Sequence, residues 1–345
     1  MKILVLFDVG HRADPNEAFS PETLKEQDKP TEACVLECLG RLGHQVETLA
    51  VFDNVTAIVD KLKACQPDIV FNLTESFYHD RSHEPNIPAL LDLMKVPYTG
   101  SGPDALLLCK DKAIAKKVLA YHHVRLPRFV VSQHSRPLRR LRRFVYPAFV
   151  KPVGEESSDG ISKASFVREE DEAIERVRFI HQKFNCDVLI EEYIEGRELY
   201  LSVLGNNRLT VFPPREIFFD QMPEDTPKFA TYHAKWNERY RAKWGIQNGP
   251  AKPLPEGVEK HLTQLARKVY RLLKIRGFGR IDVRLGPQGE VFVIEANPNP
   301  SLAADEDFAQ AAAGAGMNYD TLVQEILNAA RRADLPVRAA VSAPQ

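Results

Sequence analysis

The stretch Gly277–Pro298, GFGRIDVRLGPQGEVFVIEANP, is two runs of alternating polar and apolar residues around Gly286-Pro-Gln-Gly289. Gly and Pro there supply turn chemistry, so the stretch reads as a hairpin of strands Gly279–Leu285 and Val291–Asn297. Successive side chains of a strand point to opposite faces, so Arg280, Asp282, Glu295 and Asn297 share one face. Ile281, Val283 and Ile294 fall on the other, apolar face. Symmetric pairing about the turn sets Arg280 opposite Glu295. Two carboxylates and a carboxamide form an oxygen-only cluster suited to Mg²⁺ or Mn²⁺ rather than zinc. An arginine in the same row suits an anionic oxygen or a developing oxyanion. A plain surface ion pair between Arg280 and Glu295 explains neither Asn297 nor the run Asn-Pro-Asn-Pro at 297–300.

Two pieces upstream have the same flavour. In Phe149–Ser162, FVKPVGEESSDGIS, a lysine ends an apolar strand and a turn rich in Gly and Ser follows. Backbone N–H groups and hydroxyls of such a turn can meet phosphate oxygens while Lys151 supplies a point charge. The spacing is not that of a P-loop. In Val188–Glu198, VLIEEYIEGRE, a strand ends in carboxylates and enters an irregular segment, an arrangement able to hold an adenine edge and ribose hydroxyls. Taken singly, the first is more often just a hairpin turn and the second just an acidic strand end.

Toward the N-terminus, Lys2–Phe7, Val46–Val51 and Asp68–Leu73 read as buried strands, with a helix from about Thr31 to Leu42 between the first two. Strands alternating with helices argue for a parallel sheet in the first 100 residues or so. Pro97–Pro103 punctuates its end, and a helix carrying Asp111 and Lys112 follows. Further strands are expected at Phe129–Val131, Ala148–Lys151, Ser162–Val167, Val188–Tyr193 and Leu199–Leu204. Helices are expected at Glu170–Phe184, Val258–Leu273 and Tyr319–Arg332. Residues 220–255 have little periodicity and read as an active-site loop.

With 345 residues the chain exceeds a single core and suits two or three lobes. Its 44% apolar and 27% charged residues are ordinary for a globular protein, and a net charge of −1 exerts no general pull on nucleic acid or membranes. Five arginines within 136–143 favour a solvated face over an anionic partner, since no aromatics interleave them. The five cysteines are scattered, without a Cys-x-x-Cys pair, and no apolar run reaches the roughly 18 residues of a membrane span. A reducing cytoplasm is the expectation. His79 and His83 have helical spacing, but a zinc site is disfavoured.

In this order the pieces resemble the ATP-grasp superfamily, and most closely the D-alanine–D-alanine ligase family, from Lys2 to about Ala330. The resemblance implies an α/β fold of three lobes: an N-terminal parallel-sheet lobe (1–104), then central (105–195) and C-terminal (196–332) ATP-grasp lobes of α+β type. Residues 333–345 form a tail. It implies ATP between the last two lobes, with Lys112 and Lys151 on the phosphates and Ser157 and Ser158 on the loop above them. Glu191 and Tyr193 would flank adenine through backbone groups, Glu198 would take the ribose, and Phe229 would pack on the base. Lys235 would reach the γ-phosphate, Asp282, Glu295 and Asn297 would hold Mg²⁺ or Mn²⁺, and Arg280 would steady the acyl phosphate and the tetrahedral intermediate. The implied reaction joins a small-molecule carboxylate to an amine, a peptide included, through an acyl phosphate. Dimers are common among such relatives, so a homodimer is an expectation too.

The amino-acid side departs from the family. Its Glu-x-x-Val-Ser stretch is missing; Glu17, Glu22 and Glu26 stand in another context. Leu-His-Gly becomes Leu73-Thr74-Glu75, a tyrosine becomes Trp236, and the loop with the acceptor's serine becomes Asn299-Pro-Ser301-Leu, then Asp305-Glu306-Asp307. Two like charges about 4 Å apart repel by about 4 kcal/mol at an effective dielectric near 20. If the acidic trio faces the acceptor, a cationic amine, or one whose carboxylate is blocked, is favoured over D-alanine. If it caps the next helix, that argument lapses. Glu75, Trp236, Ser301 and Glu306 are the candidate substrate residues. The readings are therefore a ligase for another amino acid or amine, a true D-alanine–D-alanine ligase, or a nucleotide-binding pseudoenzyme. The last has no use for the full row of Arg280, Asp282, Glu295 and Asn297.

Overall fold

The structure, a computed structural model, describes residues 1–154, 161–223, 226–230, 234 and 237–331. Three sheets organise the chain. The first has the order β2-β1-β3, with β1 (Lys2–Asp8) parallel to β2 (Gln45–Val51) and to β3 (Ile69–Asn72). Ile3 to Phe7 are all buried, as in a parallel strand covered on both faces. The helix Pro30–Arg41 covers one face of that sheet. The helix Tyr319–Arg331 covers it as well, through Leu322, Val323, Ile326 and Leu327, which share a core with Phe7 and Phe71.

The second sheet is antiparallel, in the order β4-β7-β5-β6: β4 (Phe129–Ser132), β5 (Ala148–Pro152), β6 (Phe166–Val167) and β7 (Val188–Glu192). The helix Glu170–Phe184 packs on it through Ala173, Ile174, Val177 and Ile180, one stripe at helical spacing. The third sheet follows the path β11-β10-β8-β12-β13, with β9 on β8. Its strands are β8 (Arg197–Gly205), β9 (Leu209–Val211), β10 (Arg215–Phe219), β11 (Ile246–Pro250), β12 (Phe278–Leu285) and β13 (Val291–Asn297). The helix Val258–Leu272 buries Val258, Leu262, Leu265, Ala266 and Val269 against it.

Two glycines seat the first region on the third. Gly277 has φ +72°, in the left-handed region, and a Cβ there would lie 3.2 Å from the nitrogen of Gly100, which is itself at φ +87°. The punctuation at 97–103 is thus a backbone-to-backbone contact between lobes.

Several expectations change. Residues 220–255 are not one loop, for they hold the helix Glu238–Trp244 and edge strand β11. The strand expected over 162–167 shrinks to Phe166–Val167, because Lys163–Ser165 forms a 3₁₀ turn capped by Ser162. The helix Asp307–Gly314, with its small alanine-rich face, had no periodic signal to announce it. No described helix is long and apolar enough to cross a membrane.

Candidate active site

The floor of the site is the inner face of the third sheet. Arg280 pairs with Asn297 and Asp282 with Glu295, so the four side chains do share one face. The expected opposition of Arg280 and Glu295 is wrong by one pair. The register jumps from Asp282↔Glu295 to Val283↔Val293, a bulge that leaves Ile294 unpaired. Ile294 accordingly lines the cleft beside Glu295 instead of the core. On the other side β8 sets Tyr200 opposite Asp282 and Ser202 opposite Arg280.

Arg280 donates through Nε and Nη2 to the two oxygens of Asp282 at 2.8 and 2.9 Å, and its guanidinium lies 4.7 Å from the centre of the Tyr200 ring. Burial alone would depress the Arg280 pKa, but Asp282 outweighs it and holds the arginine firmly charged. Arg284, two residues beyond Asp282 on the same face, pairs with Glu198 at 3.2 Å and donates to the Gly196 and Lys228 carbonyls at 3.0 and 2.6 Å. Tyr200 donates to Glu198 at 3.1 Å. Gly196 has φ +135°, and a Cβ there would stand 2.1 Å from the Leu285 carbonyl oxygen, so only glycine fits this turn out of β7.

The facing wall is the helix Lys112–Tyr121. Asp111 caps it by accepting from the Ile114 nitrogen at 2.8 Å. Lys112 and Lys116, one turn apart, lie on its inner face. Lys112 Nζ is 3.7 Å from Glu295, and Lys116 Nζ is 2.9 Å from Glu191. Lys151, at the end of β5, is 2.6 Å from the other oxygen of Glu191. Lys112, Lys116, Lys151 and Glu191 are each 5% exposed or less. The Lys116 contact is ionic rather than a hydrogen bond, for its geometry satisfies neither partner. Burial lowers the Lys116 pKa more than Glu191 restores it, whereas Lys151, also penalised by burial, is raised by Glu191 and Glu295. Burial would lift Glu191, but the two lysines hold it down as a carboxylate. Three buried lysines therefore gather around buried Glu191 and partly buried Glu295, a setting suited to phosphate oxygens.

At the far end are Phe229, Phe149, Phe166 and Tyr193. Phe229 packs edge-on against Phe149 at 4.8 Å, and Phe166 edge-on against Tyr193 at 4.9 Å. Tyr193 donates to the Lys228 carbonyl at 3.2 Å, which ties β7 to the segment carrying Phe229. Phe149, Tyr193, Phe229, Lys151, Glu191, Glu198, Asp282 and Glu295 all border one cleft. Its free space is about 80 Å³, far below the 300 Å³ and upward typical of ligand pockets, so a nucleotide needs the cleft to open. A larger hollow of about 610 Å³, bordered by Lys117, Arg136 and Arg139, lies away from this row.

Of the expected substrate residues, Glu75, Ser301 and Glu306 are described, and all three are exposed. Glu75 is exposed and accepts from Arg81 at 3.1 Å. Ser301 is exposed, 3.1 Å from the Thr31 hydroxyl. Glu17, Glu22 and Glu26 are exposed as well. The acidic trio splits. Asp307 is buried, 2.7 Å from Arg215 and bonded by Asn248 at 2.6 Å, so its charge is already met. Glu306 is exposed at the N-cap position of the helix Asp307–Gly314, and its carboxyl is raised by desolvation, then by Asp307 and Asp305. Glu306 makes no side-chain capping bond there, so the trio meets the helix only through the helix dipole. Ser157, Ser158, Lys235, Trp236 and the tail 333–345 lie outside the described residues. His79 packs on Phe52 at 4.8 Å and His83 meets Asn86 at 3.2 Å; among the described residues no group of three His, Cys, Asp or Glu could hold a metal.

Sequence reading missed Lys116, Arg284 and Tyr200. Each had a signal: Lys116 is four residues after Lys112 on a helix, Arg284 two after Asp282, and Tyr200 two after Glu198 on strands. It also gave Glu191 only a backbone role, whereas its side chain ties two lysines together.

Comparison with known proteins agrees with this architecture. The family model "D-ala D-ala ligase C-terminus" matches residues 109–328. The chain is similar to the D-alanine–D-alanine ligase of Carboxydothermus hydrogenoformans, 30% identical over 313 residues, covering 88% of this chain and 93% of that one. It is 33% identical over 268 residues to the uncharacterized protein y4sG of Sinorhizobium fredii, covering 76% and 75%. In fold it matches the D-alanine–D-alanine ligase of Bacillus anthracis complexed with ATP, at TM-score 0.73 and 19% identity, over 96% of this chain and 98% of that one. VanG D-Ala:D-Ser ligase of Enterococcus faecalis gives TM-score 0.68 at 18% identity, over 95% and 99%.

Proposed function

Since the chain belongs to the D-alanine–D-alanine ligase family and is an ADP-forming ATP-grasp ligase, we propose that it joins a small-molecule carboxylate to an amine through an acyl phosphate, with a substrate pair other than two D-alanines. One observation carries the reading: Arg280, Asp282, Glu295 and Asn297 share one face of the hairpin, Lys112 stands 3.7 Å from Glu295, and Asp282 and Glu295 border one cleft with Lys151 and Glu191, the glutamate that Lys116 also meets. A pseudoenzyme that only binds nucleotide needs the lysines but not that row.

The donor set fits a magnesium ion. Asp282 and Glu295 are like charges directly opposite on neighbouring strands, an arrangement that is unfavourable unless cations share it. Bound there by Asp282, Glu295 and Asn297, Mg²⁺ would neutralise β- and γ-phosphate oxygens. Lys112 and Lys151 hold the phosphates, aided by Ser157 and Ser158 of the covering loop. Phe229 and Tyr193 border the base, the Glu191 backbone flanks its edge, and Glu198 takes the ribose. Lys235 contacts the γ-phosphate. A carboxylate oxygen of the donor attacks the γ-phosphorus, and the bond to ADP breaks. The amine then forms the C–N bond, the C–O bond to phosphate breaks, and the amine gives up a proton. Arg280 meets the oxyanion at that centre with N–H groups that its two bonds to Asp282 leave over.

The departures at Glu75, Trp236, Ser301 and Glu306 support a different acceptor. The ion pair of Asp307 with Arg215 favours the second reading, a true D-alanine–D-alanine ligase, because it removes one of the three charges that would repel an acceptor carboxylate. The test is ADP release across a matrix of carboxylates and amines, with mass spectrometry of the products. Amide formation with a pair other than two D-alanines is the expected result. Two D-alanines as the best pair would establish the second reading, and ATP binding without ADP release for every pair would overturn the ligase assignment of this site.

A further inference from the structure

The run Asn-Pro-Asn-Pro at 297–300 has one residue, Asn299, that the proposed chemistry leaves unused. Its backbone N–H donates to Asn297 Oδ1 at 3.1 Å, an Asx turn that fixes the direction of that carboxamide. Its side-chain Nδ2 donates to Glu84 Oε1 at 3.0 Å, across 215 residues of sequence. The other oxygen of Glu84 is 3.3 Å from Lys110 Nζ. Glu84 is 5% exposed, and the Lys110 side chain 13%. Two prolines restrict the segment: Pro298 sets its own φ, and Pro300 holds Asn299 to an extended backbone. Little freedom remains except the direction in which Asn299 points, and Glu84 sets that.

A carboxamide oxygen has two lone pairs. In Asn297 the Asx turn engages one and leaves the other for a cation on the face shared with Asp282 and Glu295. We propose that Glu84 and Asn299 are positioning residues for the divalent-cation site, a link that lets the packing of residues 81–110 against β13 set the geometry of Asn297. The inference rests on the reading of Asn297 as a ligand. It makes cation affinity depend on a carboxylate in the first region of the chain, which touches neither cation nor nucleotide.

Mn²⁺ serves as the probe, with the full chain and a non-hydrolysable ATP analogue, free Mn²⁺ being read by electron paramagnetic resonance. Outer partners of metal ligands typically govern ten- to a hundredfold in affinity, and this link is one step further out, so Asn299→Ala should weaken Mn²⁺ by about threefold to tenfold. Glu84→Ala should do the same, and the double variant should be no worse than the weaker single. Affinity for the analogue without metal should stay within about twofold, which a general loss of structure would not allow. Glu84→Ala leaves Lys110 without this partner and could impair folding. Asn299→Ala removes a neutral side chain and keeps the test open. If Asn299→Ala binds Mn²⁺ like wild type while Asn297→Ala loses at least about tenfold, the link is overturned and the ligand assignment stands. If Asn297→Ala also binds like wild type, the ligand assignment falls and the link with it.

Discussion

The proposed nucleotide side and the proposed acceptor side of the cleft are built in opposite ways. On the first, side chains are buried and bonded to one another: Lys116 and Lys151 to Glu191, Lys112 to Glu295, Arg280 to Asp282, Arg284 to Glu198. On the second, Glu75, Ser301 and Glu306 are exposed, and Asp307 is committed to Arg215. A buried charge network keeps its geometry because breaking one partner away costs about 3–5 kcal/mol. Exposed charges on loops are worth about 0–1 kcal/mol and can be exchanged freely. The difference teaches that, on the proposed reading, ATP chemistry is held by the scaffold while substrate choice is left to replaceable residues.

The comparison breaks most readily at Glu295. Glu295→Gln should lower turnover by about a thousandfold or more, since it removes a carboxylate from the proposed cation site. Its melting temperature should fall by less than about 4 °C, because Glu295 is only partly buried. Asp282→Asn should abolish turnover too, but with a larger loss of stability, as Arg280 then lacks its buried partner. Turnover at the wild-type rate in either variant would remove the cation assignment.

Lys151→Ala comes next. Loss of a charged contact worth about 2 kcal/mol should raise the KM for ATP by about thirtyfold. Lys235→Ala should instead act mainly on kcat, as expected of a residue that contacts the γ-phosphate only as it transfers. Steady-state kinetics in ATP separates the two, and unchanged constants in both would count against the nucleotide site itself. Lys116→Met is a subtler probe. It keeps the length and leaves Glu191 to Lys151 alone, so the KM for ATP should rise by about threefold to tenfold with kcat within about twofold. An unchanged KM would reduce Lys116 to a packing residue.

The smallest effect is expected at Glu306. Glu306→Ser should change the preference between cationic and neutral acceptors by less than about tenfold, as befits an exposed charge, and should leave ATP kinetics alone. A larger switch would mean that the acceptor side is as preorganised as the nucleotide side.

The same contrast decided what could be read from sequence. Strand alternation alone brought Arg280, Asp282, Glu295 and Asn297 to one face, whereas Lys112 was legible only as part of a helix, its expected role coming from the family resemblance. The register escaped because a bulge at Ile294 leaves alternation intact on both sides of the shift. The double ion pair of Glu191 escaped because its partners lie 75 and 40 residues upstream, on elements that meet only in the tertiary fold. Strand β11 and the helix Glu238–Trp244 are short and mostly half-exposed, so no apolar period marks them. The link from Asn299 to Glu84 spans 215 residues of sequence, and only the Asn-Pro-Asn-Pro run hinted at it.

The acyl phosphate itself can be followed with oxygen. A donor labelled with ¹⁸O in its carboxylate, supplied with the best amine and ATP, should release phosphate carrying one ¹⁸O for each amide formed, because a donor oxygen becomes the bridge to phosphorus and leaves with it. Phosphate without the label, or label found on AMP, would contradict phosphoryl activation in this cleft.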